Sequence, residues 1–278
     1  MSYVNNPLKF GPPEKTGLYD PSMEKDSCGV GFVANIKGQP SHQIMLDAYN
    51  LNSRMDHRGG CGFEANTGDG AGILMALPHS FFQKVSGELF NIEITPGQYA
   101  VGNLFLPQAK KERDYCVSFI EEIIAEEGQN LVGWREVPID PEIADVGPAA
   151  RAAQPCIMQL FLSAAKGLSQ EEFERANYVI RKRFTNFLRN HEDLSERKQV
   201  FACSLSTKVI VYKGMLTPGQ LFPFYKDLAN PNFETHLAMV SCIKVSEELP
   251  PTTTSLVDET SKRSLNNSFT SGIPSNPP

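Results

Sequence analysis

Apolar and polar positions alternate along this chain with two periods, which predict strands and helices in turn. Short stretches rich in small and β-branched residues, bounded by Gly and Pro, have the composition of strands. Between several of them, apolar residues recur every three or four positions, which is the spacing of a helix with one buried face. The pattern therefore predicts a mixed α and β fold. The predicted strands cover residues 29–35, 73–77, 99–106, 155–162, 200–204, 208–212 and 235–240.

Three stretches have a clear helical stripe. The first follows Ser41, a candidate N-cap, and the third begins at a capping box formed by Ser169 and Glu172. The strands at 200–204 and 208–212 are predicted to be joined by a tight turn. The stripes consist of Ile44, Ala48, Leu51 and Met55; of Cys116, Phe119, Ile120, Ile123 and Ile124; and of Phe173, Asn177, Ile180, Phe184 and Phe187.

Both ends of the chain differ in character from the middle. Residues 1–27 are rich in Pro and Gly with little periodicity, which predicts an extended leader. Residues 241–278 are dominated by Ser, Thr, Pro and Asn, with Phe269 as their only aromatic residue. Because such a segment buries too little apolar surface to order itself, we expect a disordered tail. The globular part is then residues 28–240.

Composition narrows the class of protein. The chain has 278 residues, of which 41% are hydrophobic, enough for one substantial core. A net charge of −6 without a run of cations argues against nucleic acid and anionic membranes as partners. We find neither an apolar stretch near the ~20 residues of a membrane span nor the pattern of a signal or transit peptide. These features predict a cytoplasmic protein.

The six cysteines are widely spaced, with no C-x-x-C pair and no grouping with His at metal-ligand spacing. We therefore expect no disulfide framework and no metal site, and most of these cysteines should be small core residues. Cys28 differs from the others because it stands at the end of the leader and at the start of the first predicted strand. It is a candidate nucleophile.

Chemically versatile side chains and many glycines concentrate in two loops, residues 56–62 and 66–72. Such glycine density indicates backbone lying close to a ligand or to another chain segment. A dinucleotide-binding G-x-G-x-x-G is excluded in detail, because its third glycine would fall at Ile73. A plain alternative is that Arg58 and Asp69 pair to pin the loop while His57 is an ordinary hydrogen-bonding residue.

These features together resemble the start of a glutamine amidotransferase of the N-terminal-nucleophile type, and above all the amidotransferase part of the large glutamate synthase chain. The resemblance extends from about residue 17 to residue 240, with several motifs in the same order and spacing. It is carried by Gly17-Leu18-Tyr19-Asp20-Pro21, Glu24-Lys25-Asp26-Ser27, Cys28-Gly29-Val30-Gly31-Phe32, His57-Arg58-Gly59, Asn66-Thr67-Gly68-Asp69-Gly70-Ala71-Gly72, Gly133-Trp134-Arg135-Glu136-Val137-Pro138, Cys203-Ser204-Leu205-Ser206-Thr207 and Lys213-Gly214-Met215.

The resemblance implies a fold and a set of site residues. The fold would be α+β, a four-layer αββα sandwich of two antiparallel sheets between helices. Removal of the leader would leave Cys28 as a nucleophile with a free α-amine. Arg58 would brace the site, and Asp69, Gly59 and Asn66 would shape the same wall.

The resemblance also implies the ligands. L-glutamine would be the substrate, and the ammonia released from it would pass to the synthase domain of a full-length chain. In that family FMN, an iron–sulfur cluster and an electron donor, NAD(P)H or ferredoxin, belong to the synthase regions. We therefore expect no cofactor in this chain.

The sequence departs from the family after Val240. There the family continues with His-Ser-Arg-Phe-Ser-Thr-Asn, whose arginine holds the substrate carboxylate, and later with His-Asn-Gly-Glu, whose Asn and Gly form the oxyanion hole. This chain instead has Ser241-Cys242-Ile243-Lys244. We expect a partial amidotransferase domain, incomplete at its C-terminal side. The alternatives are a truncated product without activity, a genuine compact variant, or a stand-alone hydrolase with a new C-terminal wall.

Overall fold

Two antiparallel four-stranded sheets and several helices form the folded part of the protein. The computed structural model describes residues 15–18, 20, 28–61 and 64–243, so most of the expected leader and residues 244–278 of the expected tail lie outside the described residues. The expectation that the tail begins at residue 241 was wrong for residues 241–243, which are buried because Ser241 and Cys242 pair with Val30 and Gly29 in a sheet. In spatial order, the first sheet consists of β1 (Gly29–Ala34), β8 (Leu237–Cys242), β2 (Ala71–Ala76) and β7 (Val209–Gly214), and the second of β4 (Asn130–Glu136), β5 (Cys156–Ser163), β3 (Tyr99–Leu106) and β6 (Phe201–Ala202).

Helices cover one face of each sheet. The first helix packs on β1 and β8, while the third and fifth helices pack on each other and on the second sheet. The class and architecture implied by the resemblance, α+β with two antiparallel sheets and helices, are confirmed. The helices are α1 (His42–Arg54), α2 (His79–Phe90), α3 (Lys110–Glu126), α4 (Pro148–Ala153), α5 (Gln170–Asn190) and α6 (Leu221–Phe224).

The first sheet shows the alternation expected of a strand with one face on the core. In β8 the side chains of Ala238, Val240 and Cys242 join the main core, which also contains the buried face of α1. Met239, between them, points to the opposite face and is only partly buried. Pairing of Gly29 with Cys242 sets the register between β1 and β8.

The second sheet is built from one continuous segment of the chain. Its elements follow in the order β3, α3, β4, β5, α5 and β6, with α4 between β4 and β5, and its strands lie in the order β4, β5, β3, β6. This is the split βαβ arrangement. Its inner face meets the main core, where Phe82 of α2 packs edge-on against Phe161 at 5.6 Å. The two sheets therefore share one hydrophobic core.

The structure confirms the predicted capping box of α5 and the N-cap position of Ser41 in α1. Ser169 Oγ accepts a hydrogen bond from the Glu172 N–H at 3.3 Å, and Glu172 accepts one from the Ser169 N–H at 2.9 Å. Ser41 does occupy the N-cap position of α1 without a side-chain cap bond. Its backbone instead bridges to Thr235. A tertiary pairing thus takes the place of a local cap.

Strands were predicted at residues 200–204 and 208–212, and both exist, but the tight turn predicted between them was wrong. β6 belongs to the second sheet and β7 to the first, so residues 203–208 cross between the sheets. Glu174 of α5 holds this crossing: its carboxylate accepts hydrogen bonds from Ser206 Oγ at 2.5 Å and from the Thr207 N–H at 2.7 Å. A distant side chain, rather than turn chemistry, sets the path.

Periodicity also missed or misplaced some features. β4 was not predicted as a strand because it lies at a sheet edge and none of its residues is buried. Phe187 was expected on the buried face of α5 but is 45% exposed and stacks on Phe119 at 4.2 Å. Leu188, four residues after Phe184, takes the buried position instead, as the helical repeat requires.

Candidate functional site

Cys28 lies directly before β1, the edge strand of the first sheet, and is exposed to solvent. The next residue, Gly29, is buried and pairs with Cys242 of β8. The thiol therefore sits at the surface while the backbone behind it is anchored in the sheet. This is a suitable position for a nucleophile that a small substrate must reach.

The packing around Gly29 brings Arg58 to the start of β1. A Cβ added at position 29 would lie 2.9 Å from the Cys242 sulfur, 3.0 Å from Arg58 Cβ and 3.1 Å from the Met55 sulfur. Glycine is thus needed here for close approach rather than for an unusual backbone angle. The end of α1 and the 3₁₀ turn after it, residues 56–58, press directly on the strand that presents Cys28.

The two glycine-rich loops are joined to each other and to the end of β8 by backbone hydrogen bonds. The Gly60 N–H donates to the Ile243 carbonyl at 3.1 Å, and the Asp69 N–H donates to the Gly60 carbonyl at 2.9 Å. The Ile243 N–H donates to the Gly70 carbonyl at 2.9 Å. Asp69 and the Arg58-Gly59 loop are therefore held in one continuous structure beside β8.

Close packing explains two of the glycines in these loops, Gly59 and Gly68. A Cβ at position 68 would lie 2.2 Å from the carbonyl carbon of Leu216, and one at position 59 would lie 3.0 Å from Pro218 Cδ. The expectation that glycine density marks close approach of another chain segment is confirmed. That segment, residues 216–220, was not predicted, because nothing in its local sequence marks it as part of a site.

Asn66 is held by hydrogen bonds to residues outside β1, the strand that follows Cys28. Its carbonyl accepts hydrogen bonds from the Gly147 N–H and from Gln220 Nε2, both at 2.9 Å. Its side-chain amide donates to Asp145 Oδ1 at 3.4 Å. The structure thus connects Asn66 to the segment that precedes α4, whereas Arg58 contacts the start of β1.

Two thiols near the loops have a raised pKa. The pKa of Cys61, the second exposed cysteine of this region, is raised by partial burial and by the carboxylates of Asp56 and Asp69. Burial also raises the pKa of the Cys242 thiol, whose S–H donates to the Met55 carbonyl at 3.5 Å. Both groups favour the neutral thiol, so neither is an activated nucleophile.

His57 is an ordinary hydrogen-bonding residue, as the simpler interpretation of the sequence predicted. Its Nδ1 lies 3.1 Å from the Arg54 carbonyl, within hydrogen-bond distance of the end of α1, and the side chain is exposed. Across residues 28–61 and 64–243, no three His, Cys, Asp or Glu side chains converge as metal ligands would. None of the described helices is long and apolar enough to cross a membrane.

Comparison with protein families matches this chain to the class-II glutamine amidotransferases over residues 28–246. The matched region begins at Cys28, the residue that the sequence singled out as a nucleophile. It contains both glycine-rich loops, the two sheets and the Ile243 contacts described above.

Curated relatives are glutamate synthases from fungi, bacteria and plants. The chain is 39% identical over 236 residues to the glutamate synthase [NADH] of Schizosaccharomyces pombe, covering 82% of this chain and 11% of that protein. It is 38% identical over 230 residues to the glutamate synthase [NADPH] large chain of Bacillus subtilis, covering 82% and 14%. It is 37% identical over 227 residues to the ferredoxin-dependent glutamate synthase 1 of Arabidopsis thaliana, also covering 82% and 14%. The chain thus spans 11 to 14% of the length of these relatives.

Proposed function

Because the chain belongs to the class-II glutamine amidotransferases, we propose that it is the glutaminase part of a glutamate synthase. It would hydrolyse L-glutamine to glutamate and ammonia, and the ammonia would serve reductive transfer to 2-oxoglutarate. The observation that carries this proposal is the coincidence at Cys28: the family match begins there, and the thiol is exposed at the start of an edge strand. The names of the relatives support the synthase assignment.

The proposed chemistry begins with cleavage of the Ser27–Cys28 peptide bond. The new α-amine, with an ordinary pKa of about 7.7 to 8.0, is partly unprotonated near neutral pH and accepts the thiol proton. The sulfur attacks the side-chain carbonyl carbon of glutamine, and the proton passes to the departing amide nitrogen as ammonia leaves. Water then adds to the thioester, releasing glutamate and restoring the thiol.

The leader would control this reaction. While Ser27 is attached, the nitrogen of Cys28 belongs to an amide and has no basic lone pair to accept the proton. The uncut chain should therefore be inactive. Processing would then act as the switch that gives the exposed Cys28 thiol at the start of β1 its own base.

The residues around Cys28 would hold the site rather than react. Arg58 packs against Gly29 and would brace the wall beside the thiol. Asp69, bonded through its backbone to Gly60, and Gly59, packed on Pro218, would fix the same wall. Asn66 would set the outer edge of this loop through its bonds to Gly147 and Gln220.

Cofactor and partner are also proposals. Thioester chemistry of this kind needs no metal or redox group, so we propose none in this chain. FMN, an iron–sulfur cluster and the electron donor, NAD(P)H or ferredoxin, would belong to the synthase regions of longer chains, with which this domain would associate. The cytosol is the proposed compartment, on the composition of the first residues alone.

A second candidate function, a polypeptide without activity, is favoured by the identity and burial of one residue. Where the family places the arginine that holds the substrate carboxylate, this chain has Ile243, which is 5% exposed and packs with Phe201, Cys203 and Val211. An isoleucine offers no bidentate partner for a carboxylate. Absence of even one oxyanion donor can cost about 10²- to 10³-fold in rate. A polypeptide of only these 278 residues would then lack turnover.

Labelling with 6-diazo-5-oxo-L-norleucine, a glutamine-analogue electrophile, tests both candidates. The chain is prepared uncut and with Cys28 as its free N-terminus, each also as the Cys28→Ala variant, with Cys61→Ala as a control for the other exposed thiol of the region. The glutaminase proposal expects modification of Cys28 in the processed chain only, protection by L-glutamine, and release of ammonia. Absence of labelling in every form supports the inactive candidate. Equal labelling of uncut and processed chains would refute the role of the free amine.

A further inference from the structure

Residues 216–220 form a wedge between the two glycine-rich loops. The backbone of Leu216 lies against Gly68, and Pro218 lies against Gly59, in both cases so closely that a Cβ would not fit without displacement. A hydrogen bond also ties the wedge to α1. Asn52 Nδ2, on a fully buried residue of that helix, donates to the Pro218 carbonyl at 2.7 Å. The wedge therefore packs against both loops, which are also joined directly by the hydrogen bond from the Asp69 N–H to the Gly60 carbonyl.

The side chain of Gln220 anchors the wedge. It is 8% exposed, and its Oε1 accepts a hydrogen bond from the Thr217 N–H at 2.8 Å. Its Nε2 donates to the carbonyls of Asn66 and Asp145, both at 2.9 Å. We propose that Gln220 is a positioning residue, which holds the Asn66 loop and the wedge together and so keeps the wall beside Cys28 in place. The effect on Cys28 rests on the function proposed above, whereas the hydrogen bonds of Gln220 to Asn66 and Asp145 do not.

Only a carboxamide satisfies all three partners. Thr217 supplies a donor, whereas Asn66 and Asp145 supply carbonyl acceptors, so the side chain must accept on one atom and donate twice from the other. Glutamate has the same shape but no donor when ionised, and it would place a carboxylate oxygen against two carbonyl oxygens. Gln220→Glu is therefore a nearly isosteric way to break the bonds to the Asn66 and Asp145 carbonyls.

The backbone conformation of Asp145 is unusual, and Gln220 helps to hold it. Its φ is +50°, in the left-handed region that a non-glycine residue rarely adopts. Its carbonyl is one of the two acceptors of Gln220, and its carboxylate accepts the weak bond from Asn66. Gln220 thus ties the wedge to two segments that are distant from it in sequence, residues 64–70 and 141–147.

Hydrogen exchange of the full chain provides the first test. Gln220→Glu should raise the exchange rates of amides in residues 64–70 about tenfold or more, since a lost buried hydrogen bond opens the local structure. Gln129→Glu is the matched control: Gln129 is 9% exposed and donates to the Glu127 carbonyl at 2.9 Å, far from the loops in the fold. It should leave residues 64–70 at the wild-type rate. If Gln220→Glu fails to fold, Gln220→Met removes the donors without adding a charge.

Unchanged exchange of residues 64–70 in both Gln220 variants would overturn the proposal, as would acceleration spread evenly over the whole chain. The second readout uses the processed chain and the glutamine-analogue electrophile. Gln220→Met should raise the concentration needed for half-maximal labelling of Cys28 at least threefold, while Gln129→Glu should not change it. If wild-type Cys28 is not labelled at all, the proposed function fails, and the exchange result alone decides the role of Gln220.

Discussion

At the residue scale, Gly29 limits what the start of β1 can accommodate. In Gly29→Ala the new Cβ would lie 2.9 Å from the Cys242 sulfur and 3.0 Å from Arg58 Cβ, so strand, loop or both must move. We expect the free energy of unfolding in urea to fall by about 1–3 kcal/mol. Gly87→Ala in α2 is the control, because a Cβ there meets nothing within 4 Å. It should stabilise by about 0.5–1 kcal/mol. Similar effects of the two changes would contradict the proposed packing.

Cys61 offers a test of the charges in the loop. Its pKa is raised by partial burial and by the Asp56 and Asp69 carboxylates, so at a given pH it has less thiolate than an ordinary cysteine. Since only the thiolate reacts, alkylation by iodoacetamide should reach its maximal rate at a higher pH than in a free peptide. Asp56→Asn removes one carboxylate and should speed alkylation at pH 8, as measured by peptide mass spectrometry. Asp193→Asn makes the same charge change, but Asp193 does not contribute to the Cys61 pKa, so this variant should leave the alkylation rate of Cys61 unchanged.

At the element scale, α5 has an unsatisfied polar residue in its buried stripe. Asn177 is fully buried, and among the described residues neither its Oδ1 nor its Nδ2 has a hydrogen-bond partner. An unpaired buried amide costs about 1–3 kcal/mol. Leucine has the same number of side-chain heavy atoms, so Asn177→Leu should raise the free energy of unfolding by a similar amount in urea melts.

Asn103 is the matched control for Asn177. It is also buried, but its Nδ2 donates to the Val211 carbonyl at 3.0 Å and its Oδ1 accepts from Gln159 at 2.9 Å. Asn103→Leu should therefore destabilise. Destabilisation by Asn177→Leu as well would contradict the prediction that this amide is unsatisfied.

The elements themselves show how far local sequence carries. α5 was predicted with its capping box because the bonds that begin it join residues three positions apart. The path from β6 to β7 was not predicted, because its shape depends on Glu174, about thirty residues earlier in the chain. The carboxylate of Glu174 accepts a hydrogen bond from Ser206 Oγ. Turn propensity contains no information about such a contact.

At the scale of the whole molecule, a buried polar network links the two sheets. Arg135 of β4 donates to both carboxylate oxygens of Asp227, at 2.8 and 2.7 Å. Tyr212 of β7 donates to the same carboxylate at 3.0 Å, and burial raises the pKa of this tyrosine, so it remains a donor. Gln159 of β5 contacts both Arg135 and Tyr212. The network therefore bridges the two sheets within the core that they share.

Removing only one partner of this pair should be costly. Asp227→Ala leaves the Arg135 guanidinium, whose side chain is only 13% exposed, without its carboxylate, and we expect a loss of about 3–5 kcal/mol in a urea melt. The double variant Arg135→Met, Asp227→Leu should lose less than Asp227→Ala alone, because it leaves no uncompensated charge. A single-variant loss below about 1 kcal/mol would mean that the network does not hold the sheets together.

The sequence by itself determined the elements with strong periodicity, the capping box of α5, the family, and Cys28 as the candidate nucleophile. These follow from neighbouring residues or from motifs that keep their order along the chain. Only the tertiary structure decided that Cys242 and Arg58 press on Gly29, that β6 and β7 lie in different sheets, and that Gln220 joins Asn66 to Asp145. Such contacts join residues tens to hundreds of positions apart, and they exist only once the faces of both sheets have met around a common core.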